Sequence, residues 1–409
     1  MLLLIDFSKA FDMVDHDILL QKLQHYGIRG NAINWVKSYL NNRMQFVSID
    51  GKNSMTKTLT YGVPQGSILG PLFFIVYIND IPEIHAFAKF ILYADDANII
   101  LTANSLAEII SQFITLSSAL KAWVASNGLA LNLKKTNYMI FTNQRRINGI
   151  DSFDLKICNR SIERKSVARF LGVLIDEKLK WSHHISAIKS KMARYVGIFY
   201  KIKSQLPLTS RLNLFQAHVQ SHLNYCSLIW GFSCKSNIES IFTTQKKAMR
   251  AVMPGYVNYF YKNGVAPTHS KHAFSNYAVP TVHNIITKNA LLFVLKTFKF
   301  GSNLPHSIRQ LIPENAPTPG SMHDDQLTAV WMDNYNTTHF RASIFYKGPL
   351  FYSEIMGFLK PDNKSFQSYK TAIKTYLNKL QASGDADEWM TENFKLYNPK
   401  GLRQSKRIN

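Results

Sequence analysis

From Met1 to about Gly149 the hydrophobic pattern switches repeatedly between the period of a strand and the period of a helix. Met1 to Phe7 is a short apolar run, the pattern of a buried strand. Val14, Ile18, Leu19 and Leu23 then recur at helical spacing up to Gly27. Asn31 to Leu40 predicts a second helix. Gln45 to Thr60 predicts a hairpin, because Asp50-Gly51 supplies the residues of a tight turn. A loop from Gly62 to Gly70 leads into an apolar helix from Pro71 to about Asp80. Phe90 to Tyr93 and Ala97 to Leu101 predict two strands of one hairpin around Asp95 and Asp96. Leu106 to Val124 trace a helical face that Gly128 ends, and Asn137 to Thr142 predicts a further strand. The order strand, helix, strand, strand, helix, strand is that of a split βαβ, ferredoxin-like sheet, an α+β arrangement that supports many functions.

Beyond this region, hairpin-like segments return from about Asp151 to Asp176, and His183 to Arg250 is helical. The remainder is less regular: Ser302 to Gly320 reads as a linker, and Phe366, Tyr369, Ile373, Tyr376 and Leu377 suggest a closing amphipathic helix. Three domains are expected, at 1–150, 151–270 and 271–409.

Charge adds a partner to this outline. The chain carries 48 Lys+Arg against 26 Asp+Glu, a net +22 over 409 residues, which favours a polyanion, nucleic acid before membrane surface. The excess is concentrated between Lys156 and Arg211. Lys189, Lys191, Arg194, Lys201 and Lys203, interleaved with Tyr195 and Tyr200, suit a clamp on a phosphate backbone, although a solvated helix face has the same composition. Three cysteines exclude a disulfide framework and fit a reducing compartment. The longest apolar run, Leu72 to Ile78, is far short of a membrane span, and Met1 is not followed by the features of a signal peptide. A cytoplasmic or nuclear protein without a membrane partner is expected; the oligomeric state is unspecified.

The candidate chemistry lies in carboxylates. Asp6 ends a predicted strand, and Asp95-Asp96 occupy a hairpin turn in the same sheet, so like charges would cluster there at a cost unless cations join them. Mg²⁺ prefers oxygen ligands and retains substrate-phosphate ligands, so such a cluster suits two ions and a triphosphate.

The wording around these residues resembles the reverse transcriptases of non-LTR, LINE-type retrotransposons, most closely the jockey-like group. Leu2 to Asp12 followed by Val14-Asp15-His16 is similar to the first catalytic motif. Gly62-Val63-Pro64-Gln65-Gly66-Ser67 with Leu69-Gly70-Pro71 and Tyr77 to Asp80 is similar to the second, and Tyr93-Ala94-Asp95-Asp96 to the third. Asn132 with Lys135-Thr136 resembles the fourth, Phe170 to Val173 the primer grip, and Arg341 to Pro349 the tail that follows the polymerase. The resemblance implies a polymerase palm, a mainly helical thumb and a C-terminal tail. It implies that Asp6, Asp95 and Asp96 hold two Mg²⁺ ions, with Mn²⁺ as an alternative, and that the Phe7 carbonyl is a further ligand. Phe11 would be the steric gate against a ribose 2′-hydroxyl, Gln65 would pack beside the incoming nucleotide and its template base, and Lys135 would contact the triphosphate. An RNA template, a DNA primer and deoxynucleoside triphosphates are the implied partners. Met1 begins within the first motif, so the fingers and the upstream endonuclease of such elements are expected to be missing. The chain then reads as an N-terminally truncated RNA-directed DNA polymerase, with an inactive nucleic-acid-binding remnant as the alternative.

Plainer readings apply to neighbouring groups. Asp12, Asp15 and Asp17 read as caps and a solvated helix face, Trp35 and Trp123 as core, and His183-His184 as solvent-facing. Cys226, Cys234, His269 and His272 lack the common zinc spacing.

Overall fold

A computed structural model of the chain describes residues 1–142, 154–253, 271–296 and 365–383. The chain divides into two compact units, Met1–Ala168 and Arg169–Asn409.

The first unit opens on strand β1 (Leu2–Asp6), a short 3-10 turn (Ala10–Asp12) and helices α1 (His16–His25) and α2 (Asn31–Leu40). Four two-residue strands follow: β2 (Met44–Gln45), β3 (Ser48–Ile49), β4 (Lys52–Asn53) and β5 (Lys57–Thr58). β2 pairs with β5, and β3 with β4 across a turn at Asp50 and Gly51, both at positive φ, as the dipeptide predicts. Helix α3 (Leu69–Ile78) then precedes the hairpin of β6 (Lys89–Tyr93) and β7 (Asp96–Ile100), helix α4 (Leu106–Ser126) and strand β8 (Asn137–Met139).

These strands form one sheet in the order β8-β1-β7-β6, with every neighbouring pair antiparallel. That is the split βαβ topology expected from the pattern. Alternation in β1 buries Leu3 and Ile5, which join Phe7, Phe73, Phe74 and Tyr77, and Phe113, Leu116 and Leu120 of α4, in one core. Each such side chain contributes about 1.5–3 kcal/mol when fully buried. The opposite parity leaves Leu4 and Asp6 on the other face of the strand.

Two expectations change here. Trp35 is 56% exposed and stacks on Tyr39, because the buried stripe of α2 is Ile33, Val36 and Leu40 and Trp35 points away from it; Trp123 is buried as expected. The unit also extends past residue 150. β9 (Lys156–Ile157) pairs with β10 (Arg160–Ser161), and β11 (Glu163–Arg164) adds to the sheet parallel to β8, while Leu155, Ile157 and Ile162 join the same core.

The second unit begins within the hairpin of β12 (Val167–Phe170) and β13 (Val173–Asp176), which turns at Leu171-Gly172. It continues with α5 (Ser182–Ile202), α6 (Leu208–Phe215), a π-helical stretch (Gln216–Gln220), α7 (Ser221–Asn224), α8 (Ser227–Trp230) and α9 (Lys235–Val252). Helices α10 (Lys271–Asn276), α11 (Val282–Val294) and α12 (Phe366–Ser383) follow. Phe199, Phe215, Trp230 and Met249 share a core with Ile285 and Leu291 and with Ile373 and Leu377, so the described residues beyond 270 are part of the helical unit. Buried amides reinforce the join. Gln245 accepts the Val282 N–H at 2.8 Å and donates to the Pro280 carbonyl at 3.0 Å. Gln381 donates to the Val279 carbonyl at 2.9 Å and accepts from Asn284 at 2.6 Å. The linker expected at 302–320 and the tail motif at 341–349 lie outside the described residues.

His183 faces solvent, but His184 is buried: its Nδ1 accepts the Leu174 N–H at 3.3 Å and its ring lies 6.2 Å from that of Trp230. Burial, aided by the charges of Lys191 and Arg169, lowers its pKa from 6.5 to about 4. The neutral ring therefore stabilises the fold fully above pH 6.5, and that contribution, up to about 3 kcal/mol, is lost as pH falls towards 4. Denaturant unfolding of the chain and of a His184→Leu variant should converge in stability between those pH values; parallel curves would show that His184 is not the titrating group.

Candidate active site

The antiparallel register of β1 and β7 sets Asp6 directly opposite Asp96. Tyr93 pairs with Asp96 on the other side of β7, so the β6–β7 connection is the two-residue turn Ala94-Asp95. Ala94 takes φ 49°, left-handed backbone that costs an L-residue roughly 1–2 kcal/mol. The turn thus sets Asp95 at the same sheet end as Asp6 and Asp96. Burial, then the Asp95 charge, then the Asp6 charge raise the Asp96 pKa.

The backbone of Asp6 is fixed from one side. Its N–H donates to Thr136 Oγ1 at 3.3 Å, and its carbonyl accepts the Asn132 N–H at 2.8 Å. The same Asn132–Thr136 turn brings Lys135 Nζ to 3.9 Å from the Asp6 carboxylate; with 71% of the Lys135 side chain exposed, the ion pair is weak. Phe7 is buried, its ring 6.5 Å from Trp123, and its backbone bridges to Leu131.

A second group forms where the segment after β1 meets the loop before α3. Phe11 packs on Phe74 with ring centroids 4.6 Å apart, and its carbonyl accepts the Val63 N–H at 2.9 Å. Gly62 donates to the Val14 carbonyl at 2.7 Å and accepts from His16 Nε2 at the same distance. At φ 86°, and with an added Cβ only 3.0 Å from the Asp12 backbone, position 62 suits glycine alone. Gln65 is exposed and donates through Nε2 to Asp12 at 2.9 Å.

Asp15 is a helix cap, accepting the Asp17 and Ile18 N–H groups, and Asp17 stands exposed in the first turn, as read from the sequence. Asp12 is exposed as well, and accepts from Gln65. Three further residues brace this region without a sequence signal that assigns them a role. Tyr77 donates to the Asn127 carbonyl at 2.6 Å and accepts the Asp15 N–H at 3.3 Å, and burial raises its pKa to about 12. Lys22 donates to the Tyr77 carbonyl at 2.6 Å and to Asp80 at 2.8 Å. Thr136, almost fully buried, ties Asp6 to the turn that carries Lys135.

The carboxylates differ in how they are used. Asp12, Asp15 and Asp80 each have a partner, whereas Asp95 and Asp96 have no hydrogen bond or ion pair among the described residues. An oxygen-rich pair left without cationic partners fits a hard divalent ion in its donor chemistry. Among the described residues, however, no three His, Cys, Asp or Glu side chains converge tightly enough to hold an ion.

The protein-family model described as reverse transcriptase (RNA-dependent DNA polymerase) matches residues 1–197. Residues 1–197 are thus similar to the reverse transcriptase family. The relatives that match are retrotransposon proteins, in agreement with the motifs. The probable RNA-directed DNA polymerase from transposon X-element of Drosophila melanogaster is 27% identical over 257 residues, covering 61% of this chain and 28% of that protein. The RNA-directed DNA polymerase from mobile element jockey of the same fly is 29% identical over 259 residues, covering 61% and 28%. The chain thus spans less than a third of the length of these curated relatives. Among solved structures, telomerase from Candida albicans in complex with a TWJ fragment of telomeric RNA matches at TM-score 0.36 and 14% identity, covering 76% of this chain and 48% of that one, too loose a match to support a comparison of folds. Reverse transcriptases as a family use divalent metal ions.

The basic residues expected to bind nucleic acid lie in the second unit, and not on one face. At 100° per residue, Lys191, Arg194 and Lys201 share one flank of α5, Lys189 lies on the other, and Lys203, past the helix end, has its ammonium 5.5 Å from the Tyr200 ring centroid. Arg211 is buried, donating to the Val252 carbonyl at 2.7 Å. Cys226 is half-buried, which raises its thiol pKa, and Cys234 is exposed; His269 and the His272 side chain lie outside the described residues. No described helix is long and apolar enough to cross a membrane.

Replacing Asp95 with Asn removes one of the two charges that act on Asp96, so the Asp96 carboxyl should titrate at lower pH. Carbon-detected NMR titration of the two proteins reads this directly, and an unchanged midpoint would assign the shift to burial and the Asp6 charge alone.

Proposed function

We propose that this chain supplies the palm and thumb of an RNA-directed DNA polymerase that extends a DNA 3′ end on an RNA template, from a non-LTR retrotransposon. The observation that carries the reading is the strand register that pairs Asp6 with Asp96 and leaves Asp95 beside them. Asp6, Asp95 and Asp96 are the residues that would hold two Mg²⁺ ions, with the Phe7 carbonyl as a further oxygen donor. When bound, such ions lower the pKa of a primer 3′-hydroxyl and neutralise the departing pyrophosphate.

The chain's own groups do the positioning. The Asn132–Thr136 turn fixes the Asp6 backbone and presents Lys135 for the triphosphate. Phe11, backed by Phe74, fills the space of a ribose 2′-hydroxyl and so selects deoxynucleotides. Gln65, held by Asp12, packs beside the incoming nucleotide and its template base. Lys189, Lys191, Arg194, Lys201 and Lys203 contact backbone phosphates, with affinity that falls as salt rises.

The test is primer extension on an RNA template by the protein expressed from the longest open reading frame containing this chain. Asp95→Asn keeps the shape and removes a ligand charge, so extension should fall roughly a hundredfold or more while the circular dichroism spectrum is unchanged. Equal activity in the two proteins would remove Asp95 from the mechanism.

Sugar selection has its own readout. Phe11→Val should raise ribonucleotide incorporation relative to deoxynucleotide in single-nucleotide assays, because the discrimination is steric and disappears with the ring. An unchanged ratio would leave Phe11 as a core aromatic packed on Phe74.

A further inference from the structure

In the second unit, the π-helical stretch Gln216–Gln220 separates α6 from α7. A π turn takes up more residues than an α turn, so His218 and His222, four apart, come nearly into line along one face. His218 lies flat on Tyr195 of α5, with ring centroids 4.3 Å apart and planes 12° from parallel. Lys191, one turn before Tyr195, and Arg194, its neighbour in sequence, lie on the same helix. Burial of His222, followed by the charges of Lys191, His218 and Arg194, lowers its pKa below the ordinary value. Among the described residues, none of these four side chains has a hydrogen bond or an ion pair.

Other charged groups stand on the surrounding helices, among them Lys235, Lys246, Lys247 and Arg250 of α9. Arg211 of α6 donates to the Val252 carbonyl, His283 of α11 lies 3.2 Å from Glu239, and Lys288 of α11 feels Lys370 and Lys374. His184 of α5 accepts from Leu174; of the remaining α5 cations, Lys189 lies on the opposite flank and Lys201 lies two turns beyond Arg194.

Two permanent cations beside two imidazoles, with no counter-charge among the described residues, suit a phosphodiester. The phosphate supplies the missing negative charge, and an imidazole that gains a proton adds a charge-assisted hydrogen bond. We propose that Lys191, Arg194, His218 and His222 grip a backbone phosphate of nucleic acid, and that the imidazoles take up protons as it enters. This rests on the nucleic-acid-binding reading above and adds two residues and a pH dependence to it. Because binding takes up protons, affinity rises as pH falls.

The experiment titrates a labelled RNA–DNA hybrid with the full chain at constant salt, and circular dichroism at each pH checks folding. Affinity should tighten about five- to tenfold from pH 8 to pH 6. A His218→Asn, His222→Asn double variant should lose most of that gain, with its deficit growing as pH falls. A Lys191→Gln, Arg194→Gln double variant should bind more weakly at every pH and lower the slope of log K against log salt by about two. A histidine double variant with the parent's pH profile would overturn the proposal, as would a lysine and arginine variant with unchanged affinity and slope. A parent that binds the hybrid with salt dependence but no pH dependence overturns this proposal alone; a parent that does not bind at all overturns the nucleic-acid reading and this proposal with it.

Discussion

The pairing of β1 with β7 in one particular register is the constraint on which the candidate site depends. Because side chains alternate along a strand, the register that buries Leu3 against Ile99 and Ile5 against Ala97 also sets Asp6 opposite Asp96 on the other parity. A slip by one residue would expose the core face and separate the carboxylates together. Hydrophobic burial therefore stabilises an arrangement of like charges that electrostatics alone disfavours, and the pKa of Asp96 is raised first by burial and then by the charges of Asp95 and Asp6.

Around that pair, the first unit is braced by backbone contacts more than by ion pairs. The Asn132–Thr136 turn grips both polar groups of the Asp6 peptide, and residues 62–63 hydrogen-bond to the segment that carries Phe11 and Val14. Such contacts hold positions without depending on salt or pH. The second unit contrasts with this: its interior is a shared apolar core tied by buried amides.

Most of the first unit was legible because its signals are local. β1, the limits of α2, the Asp50-Gly51 turn and the end of α4 follow from short-range pattern and turn chemistry, and the sequence order of elements was enough to give the sheet topology. What escaped depends on partners distant in sequence. Periodicity does not reveal that Glu163–Arg164 joins β8, so the first unit was expected to end near 150 rather than at 168. Nor does it reveal that α11 and α12 complete the core of α5 and α9. Trp35 and His184 show the same limit in single side chains: an aromatic near an apolar stripe stayed outside, and a histidine beside a solvated one turned inward. Asp12 is solvated as its pattern implies, but nothing local points to its partner Gln65, 53 residues away. The carboxylate cluster was legible from the pattern, which ends a strand at Asp6 and turns a hairpin of the same sheet at Asp95-Asp96, and the motif wording added the roles of Phe11, Gln65 and Lys135.

The central claim is that Asp6, Asp95 and Asp96 form one divalent-ion site at the end of this sheet. Paramagnetic broadening by substoichiometric Mn²⁺ in the isotope-labelled chain tests it without requiring catalysis. The account predicts that the backbone amides of Asp6, Phe7 and Ala94 to Asp96 broaden first, that Lys135 follows, and that excess Mg²⁺ reverses the effect. Broadening that begins elsewhere, or persists unchanged in an Asp95→Asn, Asp96→Asn double variant, would contradict it.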